Sequence, residues 1–237
     1  MFDYHREANY NKTKTLSIFD EPIFFRDIES ISLDFNKTNE FSSSFIIEWL
    51  TISNSKAVFK NMNIQCKIQV TGNSTIIAEN CSFRSYDNCS ECPIEIFANS
   101  SGIFRNCRFN ANHSTKPLVI IRNNSDADFI NCQFENISDT SILVIDRSFT
   151  NICNCKFKPT KQNSVHLSEH SAANIYNSQF LFQEGNAILL KGECHAKIKK
   201  CKFKNCKRSE ISIDGSSKIH VKKCEFYNLV HIFINLS

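Results

Sequence analysis

Alternating apolar and polar residues recur along most of the chain, and a six-residue pattern accompanies them. The pattern is an apolar residue, any residue, Asn, Cys, any residue and Phe, as in residues 78–83. Later copies end at Phe109, Phe134, Phe157, Phe180, Phe203 and Phe226, and a degenerate first copy ends at Ile64. The ends of successive copies are separated by 19, 26, 25, 23, 23, 23 and 23 residues. Such regular spacing indicates a structural repeat.

A second pattern, apolar–x–apolar, ends 13 residues before each copy of the first, as in Ile68–Val70 and Ile94–Ile96. Alternation with a period of two is typical of β-strands. Each repeat therefore predicts three short strands: the apolar–x–apolar strand, a strand that ends at the apolar residue before Asn, and a Cys–x–Phe strand. All three can bury their apolar residues only if the chain bends at Asn, which tolerates the left-handed conformation.

Stacking of the repeats would align equivalent residues of successive coils. One predicted column contains the corner asparagines, whose amides can hydrogen-bond along it: Asn80, Asn106, Asn131, Asn154 and Asn177. A second column contains six cysteines, with Ser178 in place of a seventh: Cys81, Cys107, Cys132, Cys155, Cys201 and Cys224. Their parallel Cα–Cβ vectors are poor disulfide geometry, so we expect small, buried, free thiols.

Three strands per repeat, coils of 23 residues and no helical period predict an all-β fold, a parallel β-helix (β-solenoid) of about eight coils. On its Asn–Cys–x–Phe repeats the chain resembles right-handed parallel β-helix proteins of the pectin-lyase-like type. The resemblance covers residues 49–237 and implies a fold, whereas function depends on the sites that a fold carries. A β-sandwich is the alternative, but it does not account for the equal intervals.

The two ends of the chain depart from the regular repeat. Residues 1–48 are rich in Phe, and we expect them to form an N-terminal cap, because an open end exposes the core and unpaired backbone. The β-helix domain is predicted over residues 49–237. Residues 232–234 are in frame for another first strand, with three residues of sequence after them. We expect either a fragment of a longer protein or a last coil that docks on a protein partner or on a second copy.

Composition and charge add one feature to this fold prediction, an excess of basic residues in the C-terminal part of the chain. The hydrophobic fraction of 41% excludes an intrinsically disordered chain. No apolar run approaches the length of a transmembrane helix. The net charge of +4 is divided unevenly, since residues 1–150 carry 14 basic and 18 acidic side chains, whereas residues 151–237 carry 14 and 6.

The excess of positive charge is concentrated in the last two full coils. The candidate binding residues there are Lys197, Lys199, Lys200, Lys202, Lys222 and Lys223. Stacking places Lys199 beside Lys222 and Lys200 beside Lys223, and like charges at this spacing are mildly destabilising. The patch therefore indicates an anionic partner such as nucleic acid, a phosphoinositide or a sulphated glycan. The alternative is a solvated edge that lysine keeps from aggregating. No aromatic residue is expected to interleave the patch for base stacking.

An enzyme of the pectin-lyase-like type is the alternative function. The resemblance implies carboxylates on the outward side of the first strands, as a cation-binding cluster in lyases or as a pair in hydrolases. The outward positions there are Gln69, Glu95, Ile120, Leu143, His166, Leu189 and Ser212. One carboxylate and one histidine among apolar residues predict no catalytic residue and no cofactor. This leaves the question of an enzyme open, with a non-enzymatic protein favoured.

Four residues outside the cysteine column form a weaker candidate for a metal site. Cys66, Cys89, Cys92 and His113 follow the third strands of three successive coils. If the three loops converge, these side chains would form a Cys₃His zinc site. A disulfide involving Cys89, Cys92 or Cys66, or free thiols, are the favoured alternatives, so no metal is predicted.

The signals of cellular compartment conflict. Residues 1–14 are polar and lack the apolar core of a signal peptide, and an unpaired cysteine column is typical of a reducing compartment. Both favour an intracellular protein narrowly. Ten Asn-x-Ser/Thr sequons, most of them in predicted turns, favour secretion instead.

Taken together, these patterns predict a non-enzymatic β-helix scaffold or binding module. It would present its strand faces and variable loops to a protein, a glycan or an anionic polymer, because loops that vary on a rigid scaffold commonly carry function. A polysaccharide lyase or glycoside hydrolase is the alternative. A carboxylate cluster in a groove beside the first strands would favour the enzyme. A flat, apolar surface formed by Ile120, Leu143, Leu189 and Phe233 would favour a protein contact.

Overall fold

A computed structural model describes residues 23–26, 31–34, 44–84, 94–111, 115–227 and 232–235, with side chains described only between residues 49 and 227. All regular structure in these ranges is β-strand, and they contain no helix. Every strand pairing is parallel and joins a strand to its equivalent one coil away. This confirms the predicted β-solenoid, in which three strand faces surround one core.

The second face is a single sheet of nine strands, one from each coil. Its strands alternate buried and exposed side chains along most of their length, because one side covers the core and the other contacts solvent. The strands are β2 (Ile31–Asp34), β4 (Lys56–Lys60), β6 (Thr75–Glu79), β9 (Ser101–Arg105), β12 (Asp126–Ile130), β15 (Phe149–Cys153), β18 (Ala172–Tyr176), β21 (His195–Lys199) and β24 (Lys218–Lys222).

The first and third faces form one 17-stranded sheet, because β3 (Ser44–Ser53) and β5 (Asn63–Thr71) each run from the third face into the first. The other first-face strands are β1 (Ile23–Arg26), β8 (Ile94–Ile96), β11 (Val119–Ile121), β14 (Ile142–Val144), β17 (Val165–Ser168), β20 (Asn186–Lys191), β23 (Ser209–Asp214) and β26 (Ile232–Asn235). The other third-face strands are β7 (Ser82–Arg84), β10 (Arg108–Asn110), β13 (Gln133–Glu135), β16 (Lys156–Phe157), β19 (Gln179–Leu181), β22 (Lys202–Lys204) and β25 (Glu225–Tyr227).

The N-terminal strands pair with the solenoid. Strand β1 pairs with the second half of β3, and β2 pairs with β4, both in parallel. The boundary predicted at residue 49 lies inside β3, so the predicted capping segment overlaps strands that continue the stack. Residues 1–22 lie outside the described residues, and their role as a cap stays a prediction.

The core contains a continuous stack of phenylalanine rings, one from each Cys–x–Phe strand. From Phe83 to Phe226, successive ring centroids lie 4.6–5.1 Å apart, and neighbouring planes differ by no more than 9°. Phe104 and Phe129 of the second face meet this stack edge-on. Each fully buried ring contributes about 1.5–3 kcal/mol through the hydrophobic effect, so the stack is a major source of stability.

The corner between the second and third faces follows the predicted geometry. Asn61, Asn80, Asn106, Asn131, Asn154 and Asn177 all have φ between 48° and 56°. Their side chains form a ladder in which Asn80 Nδ2 donates to Asn61 Oδ1 over 3.1 Å, and Asn106 donates to Asn80 over 3.2 Å. The next asparagine, Asn131, donates to Asn106 over 3.2 Å. A further rung joins Asn177 to Asn154, so the ladder runs in two stretches, residues 61–131 and residues 154–177.

The cysteine column consists of free thiols, as predicted. All six are unpaired, and five of them are buried in the core. Each thiol donates to a backbone carbonyl two residues earlier, as in Cys155 Sγ to Cys153 O at 3.4 Å. At the one interruption, Ser178 is fully buried and its hydroxyl donates to Tyr176 O over 2.9 Å. Serine therefore makes the same local contact as cysteine.

A column of buried serines lines the corner between the first and second faces. Sequence analysis missed it, although Ser recurs two to four residues after most of the first strands, with Cys194 in its place after β20. Each backbone N–H donates to the hydroxyl of the next coil over 3.1 Å, from Ser55 through Ser74, Ser100 and Ser125 to Ser148. The hydroxyls satisfy backbone donors that would otherwise be buried without partners.

Candidate functional site

The six candidate lysines lie around one corner of the last two full coils. Lys197, Lys199 and Lys222 project from the outer side of the second face, on β21 and β24. Lys200 and Lys223 occupy the corner itself, and Lys202 lies on the third face. The expected register is observed, since Lys199 pairs with Lys222 across neighbouring strands about 4.8 Å apart. We call Lys197, Lys199, Lys200, Lys222 and Lys223 the lysine face.

Lys202 differs from the other five lysines in its charge environment. Its Nζ lies 3.2 Å from Glu225 Oε2, and this carboxylate raises the pKa of Lys202. Among the described residues, no carboxylate forms an ion pair with any member of the lysine face. The lysine face therefore combines like charges at short spacing with little neutralisation, and Lys202 lies at its margin.

The two corner lysines adopt a backbone conformation that suits asparagine better. Lys200 has a φ of 55° and Lys223 a φ of 54°, in line with the asparagines of the preceding coils. Non-glycine residues other than Asn and Asp adopt this left-handed conformation at a cost of about 1 kcal/mol or more. The protein thus carries both a conformational cost and charge repulsion at the same two positions.

Exposed aromatic residues lie beside the lysine face, which corrects the expectation that none would interleave it. Tyr176, Phe182 and Tyr227 are 41%, 48% and 45% exposed. Tyr176 pairs with Lys199 across the second face, and its ring centroid lies 5.5 Å from Lys200 Nζ. Sequence analysis missed Tyr176 and Tyr227, although each follows a core-facing residue of its strand and alternation therefore places it outward.

Two of these rings line a shallow groove of about 440 Å³ on the third face. We call it the aromatic groove, and its residues are Gln179, Leu181, Phe182, Lys202, Lys204 and Tyr227. Lys204 Nζ lies 5.9 Å from the centre of the Phe182 ring. The Tyr227 hydroxyl donates to the Glu225 carboxylate, which also pairs with Lys202. The groove therefore offers two ring faces and one ammonium group without an ion-pair partner among the described side chains.

The outward column of the first face has the predicted register from Gln69 to Ser212. Its carboxylate is engaged, since Glu95 accepts from Gln69 Nε2 over 3.0 Å and from Arg122 Nε over 2.8 Å. The neighbouring Ile120, Leu143 and Leu189 are half-buried. The outward column contains no second carboxylate. Asp146 and Glu169, in the turns that follow β14 and β17, do lie close together, and the contact with Asp146 raises the pKa of Glu169.

His166 lies between Leu143 and Leu189 in this column. Burial, and to a lesser extent the charge of Lys191, lowers the pKa of His166. Its Nε2 atom is shielded from solvent and makes no hydrogen bond to any described residue. Asp139 acts in the opposite direction on this pKa but forms no ion pair with the imidazole, and a shielded, neutral imidazole is poorly suited to act as a general base.

The candidate zinc ligands lie only partly within the described structure. Cys66 points into the core from β5, and burial raises the pKa of its thiol. A thiol in this position faces away from the loops, so its thiolate form and its access to a metal are both unfavourable. Cys89, Cys92 and His113 lie outside the described residues. Within the described ranges, no three His, Cys, Asp or Glu side chains form a cluster that would hold a metal.

The predicted contact at the last coil also lies partly outside the described structure. Val221 of β24 is exposed, and Ile219, Cys224 and Phe226 are only partly buried against the core. The side chains of residues 228–237 are not described. Association with a partner or a second copy through this coil therefore stays a prediction.

Comparison with known proteins identifies the family. The family model described as "Right handed beta helix region" matches residues 35–181, and the chain belongs to this family. This confirms the hand of the solenoid. No curated protein matches the sequence significantly. Among solved structures, the Streptococcus pneumoniae surface protein and adhesin PfbA is similar over 91% of each chain, with 11% identity and a TM-score of 0.31. A likeness this distant carries no functional inference.

Membrane insertion through a helix is not supported by the described part of the chain. Its regular structure is made of short strands, and it contains no helix long and apolar enough to cross a bilayer.

Proposed function

We propose that the protein is a non-enzymatic binding scaffold whose lysine face holds an anionic polymer. One observation carries this proposal: lysine replaces asparagine at the left-handed corners of the last two coils, and these lysines lack ion-pair partners among the described residues. Asparagine would suit the backbone better and would remove the repulsion between Lys200 and Lys223. A feature that costs stability twice is more consistent with a binding role than with a solvated edge.

The shape of the surface suits a linear polyanion better than a small anion. The lysine face covers the outer side of the second face and continues around the corner, on rows about 4.8 Å apart. No enclosed pocket surrounds it among the described residues, so a small ligand would keep most of its hydration. A polymer gains from each additional contact and from the release of its counterions.

The engaged state of Glu95 and the shielded state of His166 support a binding role over the lyase or hydrolase alternative. A lyase needs an ionised cluster to hold a cation, and a hydrolase needs two carboxylates at a defined separation. The outward column of the first face offers neither, and the close carboxylates of Asp146 and Glu169 lie in the turns outside this column.

The proposal is tested by reversing two charges of the lysine face. Binding of labelled heparin and of labelled single-stranded and duplex DNA is measured at low salt for the protein and for Lys199→Glu combined with Lys222→Glu. We expect the double variant to lower affinity for at least one polyanion by at least about 30-fold, because four units of charge change at one site. The matched control is Lys56→Glu combined with Lys161→Glu, which makes the same change of charge on other coils.

The control should lower affinity much less than the lysine-face variant. Equal losses in the two variants would show that net charge rather than a site causes binding. Failure of the unmodified protein to bind any of these polyanions at low salt would overturn the proposal.

A protein partner is a second candidate, favoured by the half-buried apolar column of Ile120, Leu143 and Leu189 on the first face. These side chains lie in one register column with His166 between Leu143 and Leu189, and apolar surface of this kind is common at protein contacts. Cross-linking of Leu143→Cys through a photoreactive label tests this candidate. Capture of a partner by this variant, but not by Lys161→Cys, would support it.

A further inference from the structure

The aromatic groove points to single-stranded nucleic acid as the polyanion, an inference that rests on the proposed function. We propose that bases of a single strand stack on Phe182 and Tyr227 while its phosphates contact Lys204 and the lysine face. The groove and the lysine face adjoin, since β22 follows the corner at Lys200 directly. Their chemistry is complementary to the two parts of a nucleotide.

The backbone at Phe182 supports a role for its exposed ring. Phe182 has a φ of 56° and follows β19 directly. The equivalent residue of the next coil, Asn205, has the same conformation, as has Asn136 two coils earlier, whereas Pro159 occupies this position in the coil between. A bulky residue rarely adopts this conformation. Its ring gains little from the core, because nearly half of the residue is exposed. Neither backbone geometry nor core packing therefore explains phenylalanine at this corner.

The placement of charge around the ring favours a stacked, negatively charged ligand. Lys204 Nζ lies 5.9 Å from the ring centre of Phe182, and Lys204 pairs with Tyr227 across the sheet. A base stacked on either ring would bring its phosphate within reach of this ammonium group. Lysine acts as a compact point charge that suits phosphate, whereas planar carboxylates are better matched by the fork of arginine.

The exposed rings distinguish a single strand from two other polyanions. In duplex DNA the base faces are already stacked on one another, so they are not available to a protein ring. A sulphated glycan provides charge but no base to stack. Single-stranded nucleic acid combines phosphates with free base faces, and proteins that bind it commonly pair a basic surface with aromatic platforms.

The test separates stacking from charge with a variant that should not harm the fold. Binding of oligo(dT) of about 12 nucleotides, of duplex DNA and of heparin is measured at low salt for the protein, Phe182→Asn and Tyr227→Leu. We expect each variant to bind oligo(dT) about 10-fold more weakly, the order of one base–aromatic contact, with heparin affinity within about 2-fold of the unmodified protein. Phe182→Asn introduces the residue that the next coil carries at this corner with the same φ, Asn205, so it should fold at least as well.

The matched control is Phe149→Leu, which changes a half-buried ring on β15, away from the lysine face. Its oligo(dT) affinity should be unchanged. Equal losses of oligo(dT) and heparin binding in Phe182→Asn, or no loss of either, would overturn the inference. If the unmodified protein binds heparin but not oligo(dT), this inference fails and the proposed function stands. If it binds no polyanion at all, both fail.

Discussion

At the residue scale, the last two full coils depart from the repeat at the left-handed corner, where lysine replaces asparagine. Six consecutive coils place asparagine there, and its amide joins a hydrogen-bonded ladder in the described structure. The next two coils place Lys200 and Lys223 at the same φ. The last amide–amide hydrogen bond of the ladder is donated by Asn177 to Asn154. Substitutions at this corner can therefore show how much stability the protein loses by having lysine instead of asparagine.

Restoring asparagine at these corners should stabilise the protein. We expect Lys200→Asn and Lys223→Asn each to raise the free energy of unfolding by about 0.5–1 kcal/mol, because asparagine adopts the left-handed conformation more easily. Urea denaturation monitored by circular dichroism measures the change. Lys199→Asn is the matched control, since it removes the same charge from a strand position. An equal gain in the control would assign the effect to charge rather than to the backbone.

His166 should make the stability of the protein sensitive to acid. Its pKa in the folded state is lowered by burial and by Lys191, so the unfolded chain binds its proton more readily. The stability that depends on a neutral His166 is present above the unfolded pKa of about 6.5 and is lost as the pH falls below it.

The variant His166→Leu places leucine between Leu143 and Leu189 and removes this titration. We expect the loss of urea stability between about pH 7 and about pH 5 to be smaller in the variant than in the protein. An identical pH dependence of the two would show that His166 is not a source of acid sensitivity.

At the scale of elements, each coil is bound to the next by columns of identical side chains. The phenylalanine stack fills the centre, while the cysteine and serine columns line two of the corners. Ring centroids about one strand spacing apart show that the rings repeat with the sheet itself. The strands are short, so these columns rather than strand length determine how firmly the coils hold together.

The phenylalanine stack and the cysteine column should respond very differently to substitution. We expect Phe157→Ala to destabilise the protein by about 3–5 kcal/mol, because it leaves a cavity between Phe134 and Phe180. Cys155→Ser should cost less than about 1 kcal/mol, since Ser178 already occupies the equivalent position with its hydroxyl bonded to a carbonyl. Thermal and urea denaturation measure both. A Cys155→Ser variant as unstable as Phe157→Ala would contradict this view of the cysteine column.

The repeat made the strands, their register and the inward columns predictable, because each depends on a pattern that recurs at every coil. The exposed rings of the aromatic groove were not predictable in this way. Phe182 belongs to a loop, and its significance appears only when the structure aligns it with Asn136 and Asn205. A residue that departs from the repeat in one coil can be interpreted only when the structure shows which residues of the other coils it aligns with.

At the scale of the whole molecule, charge is distributed unevenly along the sequence. The segment up to residue 150 has an excess of acidic residues, and the segment after it has a large excess of basic ones. Because each coil contacts only its neighbours, the lysine face can carry its repulsion without affecting distant coils. The result is a rigid scaffold with its positive surface toward the C-terminal end of the described stack.

This arrangement predicts a defined salt dependence. If the five residues of the lysine face contact phosphates of a single strand, the plot of log affinity against log salt concentration should have a slope of about −3.5. Lys199→Glu combined with Lys222→Glu should make the slope shallower by at least about 1.4, because two contacts are lost. Titration of labelled oligo(dT) over a series of salt concentrations measures both. A slope that is the same in the protein and the variant would place the contacts elsewhere.

The central claim, that the lysine face is the polyanion-binding surface, is tested most directly by lysine footprinting. The protein is acetylated briefly with and without saturating heparin, and mass spectrometry compares the extent of modification at each lysine. The account predicts strong protection at Lys197, Lys199, Lys200, Lys222 and Lys223, and no change at Lys56, Lys156 and Lys161, the controls within the same chain. Uniform protection of all lysines, or protection confined to the controls, would contradict it.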